Sequence, residues 1–349
     1  MRVTNQMMST SYLRDLNKNL NNLNKLQTQL TTGKEISKPS DNPFKTARIM
    51  QMYSEISANK QYNENIKDTI SWLDTTDTAL NQLTNTTQRI RELMVSSGNA
   101  SYGSDERKAI KDEINELISQ TAQILNTSYD GKYVFGGSKT NSKPVGVEVD
   151  GNGNNVIVFK AADGTSFNSE GYPYKKTATG ALEFDTNGRL VVDTAAGKLY
   201  EKELNQINSN LDVEISNGVS VSYNIGATSV LNVKNGNGTI NVMELLNDIV
   251  TNLDDPNSTD VINKNLADMD LVMSGINSVR GEVGAKQNRM DTAKTQNEEQ
   301  NLNMKEILSK TEDIDLAEKT IELATLQSIY IASLQVSASI IQQSLVDFI

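Results

Sequence analysis

The side chains that could do chemistry in this chain are carboxylates, lysines, tyrosines, hydroxyls and arginines, because it has no Cys and no His. A thiol nucleophile, a Ser-His-Asp triad, a disulfide framework and an imidazole- or thiolate-based metal site are therefore excluded. The remaining candidates are weak. GKEIS, GKYVF and GKLYE each contain Gly-Lys but lack the upstream Gly and downstream Ser/Thr of a phosphate loop. DGNGNN at 150–155 starts like a calcium loop, but Asn155 and Ala161 stand where that loop needs Gly and Glu. Glu312, Asp313 and Asp315 form an acidic cluster, best read as compensating a helix dipole. Tyr172, Tyr174, Asp185 and Tyr223 are the residues that would line a sugar site, yet no paired-carboxylate logic connects them. Trp72 sits in helical register beside Leu73, so helix packing is its first reading. No nucleophile, base and orienter can be assembled from spacing. The expectation is no enzyme, no cofactor and no metal.

The chain that would have to position such residues is 349 residues long, with 33 basic and 44 acidic side chains and a net charge of −11. That charge disfavours nucleic acid and anionic membrane surfaces as partners. Only 5% of residues are aromatic and 37% apolar, too few for a thick core along the whole length. The start, MRVTNQMMST, lacks the apolar stretch of a cleaved signal peptide.

Apolar spacing divides the chain into helical ends and a β-like middle. Leu13, Leu16, Leu20, Leu23 and Leu30 form a heptad seam with Gln27 at the skipped position, and Gly33 reads as its cap. Asn42 followed by Pro43 starts a new helix. It carries Ile49, Tyr53, Ile56, Ile66, Ile70, Leu73, Leu80, Leu83, Ile90 and Met94 without Pro or Gly until Gly98, a rod of about 80 Å. Ser104 with Asp105 and Glu106 begins a third helix. Between about 132 and 240, YVFGGSKT, VEVDGNGNNVIVFK, ALEFDTNGRLVVD and VSVSYNIG read as strands, with Asp150-Gly151 and Asn187-Gly188 as hairpin turns. Residues 241–253 read as a helix. Ile262, Leu266, Met269, Met273, Ile276, Val283 and Met290 then follow alternating four- and three-residue steps, with Arg280 and Gln287 at intervening positions. That second long helix is able to pack along the first. Ser309 and Glu312 have the spacing of a capping box before a final helix.

The last segment carries Leu323, Leu326, Tyr330, Leu334, Ser337, Ile341, Leu345 and Phe348 in an 11-residue pattern, which favours straight or slightly right-handed packing. No charge lies within 323–346. A membrane span is rejected because Gln327, Gln335, Gln342, Gln343 and five serines interrupt it. The fold expected is mainly α, with long antiparallel coiled-coil-like helices from both chain ends and an inserted antiparallel β domain. The divisions expected are 1–38 with 309–349, 39–140 with 241–308, and 141–240. The Leu stripes from 13 to 30 and from 323 to 348 are expected to assemble with other subunits, because neither end can bury them alone. Ile66, Ile70, Trp72, Leu73 and Leu80 are expected to pack against Ile262, Leu266, Met269, Met273 and Ile276.

Several runs resemble a known family: VTNQMM and LNKLQTQLTTGKEISKPSDNP near the start, and RGEVGAKQNRMD and LSKTEDIDLAEKTIELATLQSIYIASLQVSASIIQQSLVDFI near the end. They are similar to the flagellin superfamily, over about 1–140 and 241–349. NQMM instead of NTN, PSDNP with Asn42 for an Asp, Trp72-Leu73 and YVFGGSKT are most similar to the superfamily's hook–filament junction family. The resemblance implies an extracellular structural subunit of the bacterial flagellum, with flagellin, the filament subunit, as the alternative. It implies an innermost layer of paired terminal helices lining an export channel, and a β insert facing outward. The implied partners are further copies in a ring or helical lattice, the first hook-associated protein, flagellin, an export chaperone and the type III export apparatus, which takes subunits without a cleaved signal. The terminal helices are expected to fold on incorporation.

Overall fold

The computed structural model describes residues 5–98, 103–177, 181–186, 188–235, 238–254 and 264–346. The chain forms two compact units, Met1–Gln61 with Glu298–Ile349, and Tyr62–Asn297. The fold is mainly helical with small antiparallel sheets in the middle.

The first unit holds α1 (Asn5–Thr32), the start of α2 (Pro43–Ser97), the end of α7 (Leu266–Glu312) and α8 (Leu316–Val346). Local chemistry sets its boundaries. Gly33 at φ +71 donates to the Gln29 carbonyl at 2.8 Å and closes α1 in the left-handed conformation that glycine adopts cheaply. Asn42 Oδ1 accepts from the Lys45 N–H at 3.1 Å, so Asn42 caps α2 with Pro43 in its first turn. The expected capping box at Ser309 does not form. α7 runs on through Glu312, and Ser309 donates to Asp313 (2.6 Å) from its last turn. Asp315 is the true cap: its Oδ1 accepts from the N–H groups of Ala317 (2.9 Å) and Glu318 (3.2 Å).

In the second unit, α2 packs antiparallel to α7. Asp74 accepts from Gln287 (2.8 Å), Asp77 from Arg280 (3.1 and 3.4 Å), and Arg91 pairs with Asp270. The two polar interruptions of the α7 seam, Arg280 and Gln287, are thus cross-helix bonds. At these exposures they set register more than they add stability. The α2 seam also includes threonines that an apolar count passes over. Thr69, Thr76 and Thr87 are buried, and each hydroxyl donates to the carbonyl four residues earlier at 2.8 Å, so none of the three hydroxyls is orphaned. Ile66, Leu73 and Leu80 are fully buried, as are Met269 and Ile276 to within 2%. Ile70 and Leu266 pack at the margin of the same core, with Met273 half-buried. Val272, absent from the predicted seam, is 1% exposed. Ile262 lies outside the described residues.

α3 (Ser104–Leu125) and α6 (Val242–Asp254) complete the helices around this core. Among the described residues the middle segment gives four small antiparallel sheets. They pair β1 (Ser128–Tyr129) with β2 (Lys132–Tyr133), β6 (Asp212–Ser216) with β7 (Val219–Ser222), and β8 (Asn232–Asn235) with β9 (Gly238–Asn241). The fourth is a three-stranded sheet of β3 (Val145–Val149), β4 (Asn155–Lys160) and β5 (Ser166–Phe167), with α4 (Glu201–Ile207) and α5 (Ala227–Leu231) beyond it. The DGNGNN turn is the β3–β4 loop. Asp150 Oδ1 accepts from the N–H groups of Asn152 (2.9 Å) and Asn154 (2.7 Å), a turn rather than a cation loop.

Two predicted strands differ. In YVFGGSKT only Tyr133 is strand, because Gly136 and Gly137 turn the chain. A Cβ on Gly137 would lie 2.2 Å from the Gln206 carbonyl oxygen. ALEFDTNGRLVVD forms isolated bridges, Lys176–Leu182, Phe184–Leu190 and Tyr174–Val192, instead of a ladder. Asn187 of the second hairpin signal lies outside the described residues.

Gly275 and Gly281 make opposite predictions on one helix. A Cβ on Gly275 would meet Val233 Cγ1 at 2.5 Å, whereas Gly281 has open space. Alanine gains about 1 kcal/mol of helix propensity at either position. At Gly275, overpacking of about 1–3 kcal/mol outweighs it. Gly275→Ala is therefore expected to lower the unfolding temperature and Gly281→Ala to raise it. Thermal melts followed by Trp72 fluorescence check both.

Candidate assembly surface

α1 and α8 pair antiparallel within the first unit. The Gly33 carbonyl accepts from the Ile314 N–H (3.1 Å) at one end, and Tyr12 OH donates to the Ser333 carbonyl towards the other. On α1 the covered side chains include Leu16, Leu20, Leu23, Leu26 and Leu30; of these only Leu26 is buried, with Gln29 beside it. Leu26 and Gln29 take the part that leucine spacing assigns to Gln27, which is exposed. On α8 the partly covered positions are Lys319, Leu323, Leu326, Tyr330, Ser333 and Ser337. Their steps of four and three are a heptad seam, replacing the 11-residue pattern over the described side chains. The small Ser333 takes the place expected for Leu334 and lets Tyr12 approach. Phe348 lies outside the described residues, as do the side chains of Ile341 and Leu345.

This pairing leaves much apolar surface uncovered. Leu334 is 44% exposed, and Leu13, Ile321, Ile329, Ile331 and Val336 are exposed as well. Among the described residues of the first unit, Leu26, Ile49 and Leu308 are its only buried large apolar side chains. A helix pair with so thin a core is marginal by itself in water.

Where α1 and α8 leave the pair, a polar cluster joins them. Lys34 Nζ donates to Glu312 Oε1 (2.5 Å) and to Tyr53 OH (3.0 Å), and Tyr53 OH donates to Glu312 Oε2 (2.6 Å). The bonds to Glu312 and Tyr53 hold the Lys34 ammonium above its ordinary range. Lys45 reaches Glu35 (2.5 Å), and Gln29 donates to the Glu35 carbonyl (2.6 Å).

Ser166, Lys160 and Glu148 are the nearest approach to a nucleophile with a base. Lys160 donates to Ser166 (2.8 Å) and Ser166 to Glu148 (2.7 Å), and Lys160 also bonds Glu148. Burial alone would raise the Glu148 carboxyl, but the bonds from Lys160 and Ser166 outweigh it and hold it below the usual range. The Glu148 carboxylate is thereby engaged by both Lys160 and Ser166, and Ser166 is only 4% exposed. The four residues weighed for a sugar site do not come together. Tyr223 stands edge-on to Trp72 (5.8 Å), Tyr172 lies under Lys198 (5.6 Å), and Asp185 closes a turn on the Arg189 N–H (2.8 Å). Tyr174 is half-buried near Glu244, and desolvation raises its phenol. Trp72 is 5% exposed between Tyr129 and Tyr223, an internal packing residue. Among the described residues no group of three or more His, Cys, Asp or Glu is placed to hold a metal, and no helix is long and apolar enough to cross a membrane.

Comparisons agree with this architecture. Residues 3–140 match the profile described as the bacterial flagellin N-terminal helical region, and residues 266–349 match its C-terminal counterpart. A flagellin of Clostridium tyrobutyricum is 32% identical over 39% of this chain and 37% of its own length. Flagellar hook-associated protein 3 of Salmonella typhimurium is 26% identical over 41% of this chain and 46% of its own. The chain thus spans less than half the length of these two relatives. Polar flagellin F of Vibrio parahaemolyticus is 24% identical over 92% of this chain and 90% of its own. In structure, a protein described as flagellar hook-associated, also from Vibrio parahaemolyticus, aligns with a TM-score of 0.56 at 16% identity, over 78% of this chain and all of its own. That likeness is one of fold. With both helical end regions matched, the chain belongs to the bacterial flagellin family.

Proposed function

We propose that the chain is a structural subunit of the flagellum at the junction between the hook-associated ring and the filament, a reading supported by its likeness to proteins named flagellar hook-associated protein 3, and that it assembles through α1 and α8. The observation that carries assembly is the imbalance in the first unit. Leu26, Ile49 and Leu308 are its buried large apolar side chains among the described residues, while a row from Ile321 to Val336 faces outward. Burying about 100 Å² of such surface is worth about 2.5 kcal/mol, so neighbouring copies supply what the monomer lacks. The contacts would be heterologous, each copy meeting the next along a ring or helical lattice.

In this reading residues 1–38 and 309–349 form the inner layer, 39–140 and 241–308 the long helical layer, and 141–240 the outward part. The first hook-associated protein lies on one side and flagellin on the other. The subunit travels with a chaperone through the type III apparatus, without a cleaved signal, to act outside the cell. Neither catalysis nor a cofactor enters the mechanism. Cells lacking the protein are expected to carry hooks without filaments and to secrete flagellin; electron microscopy and the culture supernatant check this. Normal filaments on such cells would overturn the junction role.

A filament-subunit role is the second reading, favoured by the match to polar flagellin F along nearly the whole chain. Purified protein separates the two. A filament subunit polymerises into long filaments when seeded, and a junction subunit does not.

A further inference from the structure

The joint where both chain ends leave the long helices is better tied than the helix pair beyond it. The Glu35 N–H donates to the Glu312 carbonyl (2.7 Å), the Ile314 N–H donates to the Gly33 carbonyl (3.1 Å), and Lys34 faces Asp313 as an antiparallel bridge. Over these bonds lies one carboxylate. Glu312, 8% exposed, takes Lys34 on one oxygen and Tyr53 on the other, so the end of α7 holds both the turn after α1 and the body of α2. An exposed ion pair would mean little. This carboxylate is buried with both oxygens satisfied, although Lys34 is itself 43% exposed, and an amide in its place keeps one acceptor oxygen for two donors and loses the charge that faces the ammonium.

We propose that Glu312 is a latch that makes the turn at 33–35 and the break at 312–315 one joint, so that α1 and α8 become ordered or are lost together. The seam beyond the joint is too thin to do this: on α1 it buries Leu26 and Gln29. The joint instead fixes the starting point of both helices, and fraying from the free ends stops there. A neighbouring subunit that captures either helix then presents the other in register.

Amide-resolved hydrogen exchange on the full-length monomer tests this, with fluorescence of the single tryptophan, Trp72, reporting the second unit. In the unaltered protein the Glu35 and Ile314 amides are expected to exchange at one common rate, slower than amides of 8–24 and 327–340. Glu312→Gln is expected to speed both by about tenfold or more, the loss of a charge-assisted bond, with Trp72 emission unchanged. The swap Lys34→Glu with Glu312→Lys is expected to restore much of the protection. Tyr53→Phe removes one bond, and a smaller loss shared by both amides is expected; it decides the matter if Glu312→Gln disturbs Trp72. Different rates at the two amides in the unaltered protein, loss on one side only in the variants, or no change would each overturn the latch. This readout needs no assembly, so it stands or falls apart from the flagellar role.

Discussion

Leu334→Asp is expected to abolish incorporation into the flagellum while leaving the second unit folded. Leu334 lies off the α1–α8 seam, which Ser333 occupies instead, and is 44% exposed. In the monomer the change is therefore a surface substitution, worth within about 0.5 kcal/mol. In an assembly that covers this face, the same carboxylate must be stripped of water beside Ile331 and Val336 or their counterparts on a neighbour. At about 3 kcal/mol or more for each buried charge, every contact weakens by over about a hundredfold. Leu326→Asp makes the contrast, because Leu326 is partly covered by α1 and the change should loosen the pair before assembly. Complementation of a null strain, scored by motility and by flagellar fractions, reads the first effect. Trp72 emission and circular dichroism read the second. Normal assembly by Leu334→Asp would remove this face from the interface.

What could be read from the sequence was what local chemistry decides. Gly33 and Asn42-Pro43 are signals satisfied within four residues, and both boundaries fall where those residues put them. The long seams were legible because apolar spacing is local too. Thr76, Thr87 and Ser333 escaped it, since a threonine bonded to its own helix or a serine under a tyrosine packs without looking apolar. The α7–α8 break was misplaced by about a turn because two cap signals compete, Ser309 with Glu312 and Asp315 with Glu318. The second wins through contacts about 280 residues away in sequence, the Gly33 carbonyl and the Lys34 ammonium, which no window of sequence reveals. The acidic cluster, read as dipole compensation, divides by the same logic. Asp315 caps α8, Asp313 accepts from Ser309, and Glu312 is held by Lys34 and Tyr53.

Deletion of 142–238 separates an ornament from a part of the core, and the expected result is loss of the second unit. An outward β insert would be removable if its apolar residues packed among themselves. They do not. Val230 and Leu231 of α5 surround one small internal void with Leu83 and Ile90 of α2, Leu125 of α3, Leu246 of α6, and Met269 and Ile276 of α7. Phe159 and Phe167 are fully buried and stack on each other at 5.7 Å, and Phe167 stacks on Tyr200 at 5.3 Å. Val145, Ile157 and Ile207 are buried to within 1% in the same continuous core. Losing even six such side chains removes on the order of 10 kcal/mol of burial, as much as the whole net stability of an ordinary domain. The truncated chain is therefore expected to show red-shifted Trp72 emission, a lost cooperative melt and no motility. A cooperative melt with native Trp72 emission would mean that the helices close over their own core, and the insert would then be dispensable to the fold.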